Sequence, residues 1–206
     1  MEWSLPPGNF SGFIFDCDGT LADSMPLHFR AWRHALAQAQ APFEFTWELF
    51  VSRAGMTQER TVEELNRQFD CALDPVAVAE AQHRRFERDM ERIEPIHSVV
   101  TFAREVSERH PVAVASGGER QAVLHTLELI GVRALFDTVV VAADVERGKP
   151  APDLFLLAAE RIGVPPSRCL VFEDSLLGLQ AAHAAGMQCV LLQPRRPTAL
   201  ELSADE

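Results

Sequence analysis

The chain has 206 residues, 47% hydrophobic and 24% charged, enough apolar material for one large domain or a medium domain with a small companion. Its formal charge of −11 repels nucleic acid and anionic membranes, so neither is an expected partner, and an anionic substrate would need a locally positive site. No apolar run reaches the roughly 20 residues that span a bilayer, the N-terminus lacks signal-peptide features, and the four dispersed cysteines suit neither zinc nor a disulfide framework; a reduced, cytoplasmic monomer is the expectation.

The first apolar, β-rich run is Gly12–Phe15, followed by Asp16-Cys17-Asp18-Gly19-Thr20. Two carboxylates two residues apart can converge where a strand turns at once into a loop, although Asp-Gly also makes an ordinary turn. The next hundred or so residues read as helix, whereas a crossover between parallel strands needs only about a dozen. Leu27, Ala31, Trp32, Ala35, Leu36 and Ala39 form one helical stripe, and further helices are expected near Thr57–Phe69 and Asp74–Arg92. The interval predicts a small helical domain, residues 23–93, inserted into a core of residues 1–22 and 94–206.

The second run, Val112–Ala115, leads into Ser116-Gly117-Gly118. A hydroxyl and flexible amides at a helix start make either a phosphate nest or a plain cap. A helix over Gln121–Ile130 stops at Gly131, and the third run, Thr138–Val141, is followed by Gly148-Lys149-Pro150. Lys149 is the single lysine among 19 basic residues, so a compact ammonium has been kept where guanidinium was used everywhere else. A helix over Pro152–Ile162 stops at Gly163. The fourth run, Cys169–Phe172, precedes Glu173-Asp174-Ser175, acids that suit either a helix N-terminus or a hard cation. After the next helix, which stops at Gly186, come a fifth run, Cys189–Leu192, and a tail from Arg195 to Glu206 that reads as loosely held.

Strands alternating with helices predict an α/β fold with a doubly wound parallel sheet and a ligand site at the carboxyl ends of the strands. All four polar clusters fall there. Four carboxylates gathered together repel one another unless a cation and a protonated lysine are present, which points to Mg²⁺.

Asp16-Cys17-Asp18-Gly19-Thr20-Leu21, Ser116, Lys149-Pro150-Ala151-Pro152-Asp153 and Glu173-Asp174-Ser175 with Gly178 resemble the four motifs of haloacid dehalogenase superfamily phosphatases. The likeness is to the branch of β-phosphoglucomutase and sugar-phosphate phosphatases, and it covers nearly the whole chain. It implies a Rossmann-like core with an all-α cap after the first strand. It also implies that Asp16 attacks phosphorus to form an aspartyl-phosphate, while Asp18 gives a proton to the leaving oxygen and later takes one from water. Ser116 and Lys149 would hold phosphoryl oxygens, with Thr20, His28, Gly117 and Gly118 around the substrate. Asp16, Glu173, Asp174 and the main-chain carbonyl of Asp18 would hold Mg²⁺.

The implied function is hydrolysis of a small phosphorylated metabolite, a sugar phosphate by analogy. Asp18 speaks against dehalogenation, and the lack of any lysine in residues 23–93 against phosphonate cleavage. His28-Phe29-Arg30-Ala31-Trp32 resembles the first cap helix of the mutases, with His28 near Asp18 and Trp32 fitting a core role. Mutases place Lys before a cap Gly and Arg three residues after it to grip a second phosphate. Ala54 and Gln58 stand there beside Gly55, which favours the phosphatase over an isomerase. A non-catalytic binding or regulatory relative is the reading from another class, and the intact motifs speak against it.

Overall fold

The computed structural model describes residues 3–203. Along the chain run β1 (Gly12–Phe15), α1 (Met25–Gln38), α2 (Trp47–Val51), α3 (Gln58–Phe69), α4 (Pro75–Asp89), α5 (His97–Ser107) and β2 (Val112–Ser116). They are followed by α6 (Arg120–Leu129), β3 (Thr138–Val141), α7 (Asp153–Arg161), β4 (Cys169–Glu173), α8 (Leu176–Ala184), β5 (Gln188–Leu191) and α9 (Ala199–Ser203). The five strands form one parallel sheet in the order β3-β2-β1-β4-β5.

Alternate residues of the inner strands feed two separate cores, which is why those runs are apolar almost without a break, whereas β5 at the sheet edge leaves Gln188 and Leu191 exposed. Phe13, Phe15, Val114, Val141 and Phe172 face one way and join Val99 of α5 with Val123 and Leu127 of α6. Ile14, Ala115, Val140 and Val171 face the other way and meet Leu154 and Phe155 of α7 and Ala181 and Ala182 of α8. Helices therefore cover both faces, the sheet is doubly wound as expected, and the strand order reverses about β1.

Helices α1 to α4 have an apolar cluster of their own. Phe29, Trp32 and Leu36 of α1 pack with Phe45, Phe50, Val62, Leu65 and Val78. Fully burying each of these large side chains contributes about 1.5–3 kcal/mol, so the layer carries its own cohesion. Trp32 is part of that core. Pro26 and Pro75 stand in the first turns of α1 and α4, where a missing N–H costs nothing. Two backbone segments join this layer to the sheet and run side by side. The amide of Asp23 donates to the Glu94 carbonyl at 2.9 Å, and that of Ile96 to the Leu21 carbonyl at 2.8 Å.

The tail differs from its expected looseness up to Ser203. Leu202 packs against the cluster of α1–α4, and Arg195 Nε donates to Asp23 Oδ2 at 2.6 Å. One leucine and one well-placed arginine supply anchorage that the segment's polar composition conceals. Residues 204–206 of that expected tail lie outside the described residues.

Candidate active site

The carboxyl ends of the strands deliver the site. The Asp16 amide donates to the Phe172 carbonyl at 2.9 Å, which carries the β1–β4 ladder one residue past Phe15 and fixes the Asp16 side chain at the sheet edge. Lys149 arrives from the loop after β3. Its Nζ donates to Asp16 Oδ1 at 2.6 Å and to Glu173 Oε1. Glu173 Oε2 accepts from the Ser175 amide, so both of its oxygens are engaged. Gly178 makes room for this carboxylate: a Cβ there would stand 1.9 Å from Glu173 Oε1.

Asp16, Lys149, Glu173 and Asp174 are all buried, and their charges are interdependent. Burial alone would favour a neutral Lys149, but Asp16 and Glu173 more than offset it and hold the ammonium above its ordinary pKa. Burial raises Asp16 far above the usual carboxylate range, with Glu173 adding to the rise and Lys149 opposing it. Burial and then Glu173 and Asp16 raise Asp174 likewise. One ammonium is too little positive charge for three carboxylates.

Three observations bear on a cation here. Asp16, Glu173 and Asp174 each present a ligand oxygen within 4.8 Å of the others. Asp174 Oδ2 is buried without a hydrogen-bond partner among the described residues. Gly19, at φ +80°, leaves it space, since a Cβ on Gly19 would lie 2.2 Å from that oxygen. An all-oxygen, net-negative and partly unsatisfied donor set fits a hard divalent cation such as Mg²⁺.

Asp18 sits beside the cluster. Its Oδ1 accepts from Ser24 Oγ at 2.6 Å and lies 3.4 Å from His28 Nε2. Burial pushes this carboxyl up, but the hydrogen bonds from His28 and Ser24 outweigh it and leave the pKa lowered. Ser116 is buried at the end of β2, with its Oγ accepting from the Gly118 amide at 3.1 Å.

A cleft lies between these strand ends and α1–α4. Asp16, Asp18, His28, Ser116, Gly117, Lys149, Glu173 and Asp174 line it, so eight of the expected site residues converge. Thr20 and Gly118 do not line it. Thr20 is fully buried behind the loop, its hydroxyl without a partner among the described residues, and the Gly118 amide is taken up by Ser116. Ala54 and Gln58 do line the cleft, from the α1–α4 side.

Ser24 and Gln82 were not expected at the site, and Ser175 was matched only as part of the Glu173-Asp174-Ser175 motif. Ser24 precedes α1 in the position of an N-cap, yet its hydroxyl makes no cap bond and turns to Asp18 instead. Gln82 occupies an inward slot of α4 between Val78 and Phe86, where a polar residue is itself a signal. Ser175 caps α8 by accepting from the Gly178 amide, and its own amide fixes Glu173.

A parallel α/β sheet that gathers acids, a lysine and a hydroxyl at its carboxyl edge, under a helical layer, defines a Rossmann-like enzyme site. Residues 10–186 match the model of the haloacid dehalogenase-like hydrolases, and the chain belongs to that family. It is 36% identical over 182 residues to fructose-1-phosphate phosphatase YqaB of Escherichia coli, spanning 88% of this chain and 95% of that protein. A hydrolase from Pseudomonas syringae superposes with a TM-score of 0.81 at 27% identity, covering 94% of this chain and 90% of the other. CbbY from Rhodobacter sphaeroides, solved in complex with phosphate, superposes with a TM-score of 0.75 at 28% identity, over 87% and 84%.

Proposed function

We propose that this chain is a Mg²⁺-dependent phosphomonoester hydrolase that cleaves a small sugar phosphate through an aspartyl-phosphate on Asp16. The observation that carries the reading is the buried Asp16 carboxylate, held by Lys149 next to the unpartnered Asp174 at the floor of the cleft.

Asp16 attacks phosphorus, a bond forms from its carboxylate oxygen, and the bond from phosphorus to the leaving oxygen breaks. Asp18 gives that oxygen its proton. Water then attacks the same phosphorus, Asp18 takes one of its protons, and Asp16 leaves as the carboxylate. An approaching phosphoryl anion opposes the lowering of the Asp18 pKa and so favours its protonated form. Lys149 and the Ser116 hydroxyl stand where phosphoryl oxygens would be held. Asp16, Asp174, the Asp18 carbonyl and, through water, Glu173 would hold Mg²⁺, which when bound neutralises charge on the transferring group. Glu173 also anchors Lys149.

In this reading residues 23–93 form a cap over a core made of residues 1–22 and 94–206. The sugar faces α1–α4, where Ala54 and Gln58 supply no charge for a second phosphate. Arg53 borders the same cleft, where its Nη1 donates to the Leu49 carbonyl and Ser52 Oγ and its Nη2 to Gln68 Oε1, while its Nε is buried without a partner among the described residues. The uncharged Ala54 and Gln58 support a monophosphate substrate and hydrolysis over isomerisation. The relative from Escherichia coli carries fructose-1-phosphate phosphatase as its name, which supports a ketose or related sugar phosphate. Among the described residues no helix is long and apolar enough to cross a membrane.

The test is phosphate release from a panel of phosphorylated metabolites, with and without Mg²⁺, for the native enzyme and Asp16→Asn. Metal-dependent release from sugar monophosphates is expected, with none from the variant. Turnover by Asp16→Asn above a few per cent of native would refute the mechanism.

A further inference from the structure

We infer that Gln82, which touches none of the metal or phosphoryl groups named above, is a positioning residue: it fixes the tautomer of His28 so that Oδ1 of Asp18 stays occupied and Oδ2 is left to carry the proton. The inference rests on the reading of Asp18 as acid and base.

Gln82 is 1% exposed on the inward stripe of α4, between Val78 and Phe86. An amide in such a place costs stability unless it is hydrogen-bonded. Its Nε2 lies 3.3 Å from His28 Nδ1. An amide nitrogen only donates, so Nδ1 accepts, and the neutral imidazole carries its one proton on Nε2. Phe86, one turn further along α4, stacks on the His28 ring at 3.8 Å and 6°, which holds the ring plane. Nε2–H then faces Asp18 Oδ1 at 3.4 Å, and Ser24 Oγ donates to the same oxygen at 2.6 Å.

Two donors on Oδ1 decide where the Asp18 proton sits. A proton on Oδ1 would collide with one of them, so Oδ2 carries it. Without the Gln82 donor, His28 can move its proton to Nδ1. The Nε2 lone pair would then face the carboxylate, and only Ser24 would hold the acid in place. α4 thereby contributes to the proton transfer without touching the reacting atoms.

The experiment pairs Gln82→Met, of similar volume and without a donor, with the same change in a His28→Ala background. ¹⁵N NMR of the His28 ring in the metal-free protein reads the tautomer without any need for turnover. Gln82→Glu, nearly isosteric but acceptor-only, serves as a second variant should methionine disturb folding, and it is expected to put a proton on Nδ1. The native ring is expected to be protonated on Nε2, with Gln82→Met shifting population to Nδ1. Loss of kcat on the order of 10-fold with KM little changed should accompany it, part of the 10²–10⁴-fold that a placed proton donor supplies. In the His28→Ala background Gln82→Met should add nothing further. An unchanged tautomer in both variants, or an equal loss of kcat in the two backgrounds, would overturn the inference. Because the tautomer is read independently of activity, an inactive enzyme would count against the hydrolase reading alone.

Discussion

Lys149 Nζ lies 2.6 Å from Asp16 Oδ1 and at the same time bonds Glu173, so the only lysine of the chain bridges the ends of two neighbouring strands. A point-like ammonium can satisfy two carboxylates from within a buried crevice, where a planar guanidinium lacks the space. Lys149→Arg is expected to keep the fold and lose activity on the order of 10²-fold or more in kcat, as when a preorganised charge contact is removed. Steady-state phosphate release together with circular dichroism checks this, and near-native kcat would detach Lys149 from catalysis.

The unpartnered Asp174 Oδ2 would give the proposed Mg²⁺ a signature in stability as well as in rate. Metal-free, its burial beside Glu173 and Asp16 disfavours the charged form, so an uncharged isostere relieves the folded state. Asp174→Asn is therefore expected to melt higher than native in chelator. Native protein should gain thermal stability on adding Mg²⁺, since a ligand that binds only the folded state stabilises it, and the variant should lose most of that gain. An equal Mg²⁺-induced shift in both proteins would place the cation elsewhere.

How much of this was legible in the sequence varies with the range of the interaction. The strands announced themselves because both faces of Phe13-Ile14-Phe15 and Leu170-Val171-Phe172 are buried, leaving no polar alternation to confuse the reading. With the strands in place, Asp16, Ser116 and Glu173 follow at their carboxyl ends, and the uniqueness of Lys149 marked it without any structure. Ser24 and Gln82 were opaque for a different reason. Ser24 looks locally like a helix cap, and Gln82 meets His28 across 54 residues of chain, so neither bond has a local pattern. Thr20, adjacent to the Asp18 motif, was grouped with it, but the tight turn at Gly19 carries it to the interior.

In the proposed reading Ala54 and Gln58 are the positions that favour hydrolysis over isomerisation. Both line the cleft, and neither carries a positive charge for a second phosphate. β-Glucose 1-phosphate with a trace of the bisphosphate is expected to yield inorganic phosphate, if it is consumed, and no net glucose 6-phosphate. Glucose 6-phosphate forming faster than phosphate would reverse the assignment. Ala54→Lys with Gln58→Arg should weaken selection against bisphosphates, visible as a lower KM for a sugar bisphosphate than the native enzyme shows.

The tail makes a prediction in which packing and charge can be told apart. Arg195 donates to both carboxylate oxygens of Glu201, at 2.9 and 2.8 Å, and to Asp23 between the sheet and α1. The Arg195 bond, with help from Thr198, lowers the Glu201 pKa to about 2. These groups are substantially solvated, so the pairing is worth at most about 1 kcal/mol. Leu202 buries apolar surface on the α1–α4 cluster, and losing most of such a side chain costs more, about 2 kcal/mol. Leu202→Ala is therefore expected to lower the urea midpoint further than Arg195→Ala does. The sign of the pH dependence follows from the lowered pKa. Glu201 stabilises the fold fully above its unfolded value, near 4.5, and that contribution is lost as the pH falls toward 2. The stability difference between native protein and Arg195→Ala should accordingly be constant above about pH 5 and shrink below it, whereas the Leu202→Ala difference should not follow that titration. A Leu202→Ala variant as stable as native would mean that the apolar contact does not anchor the tail in solution.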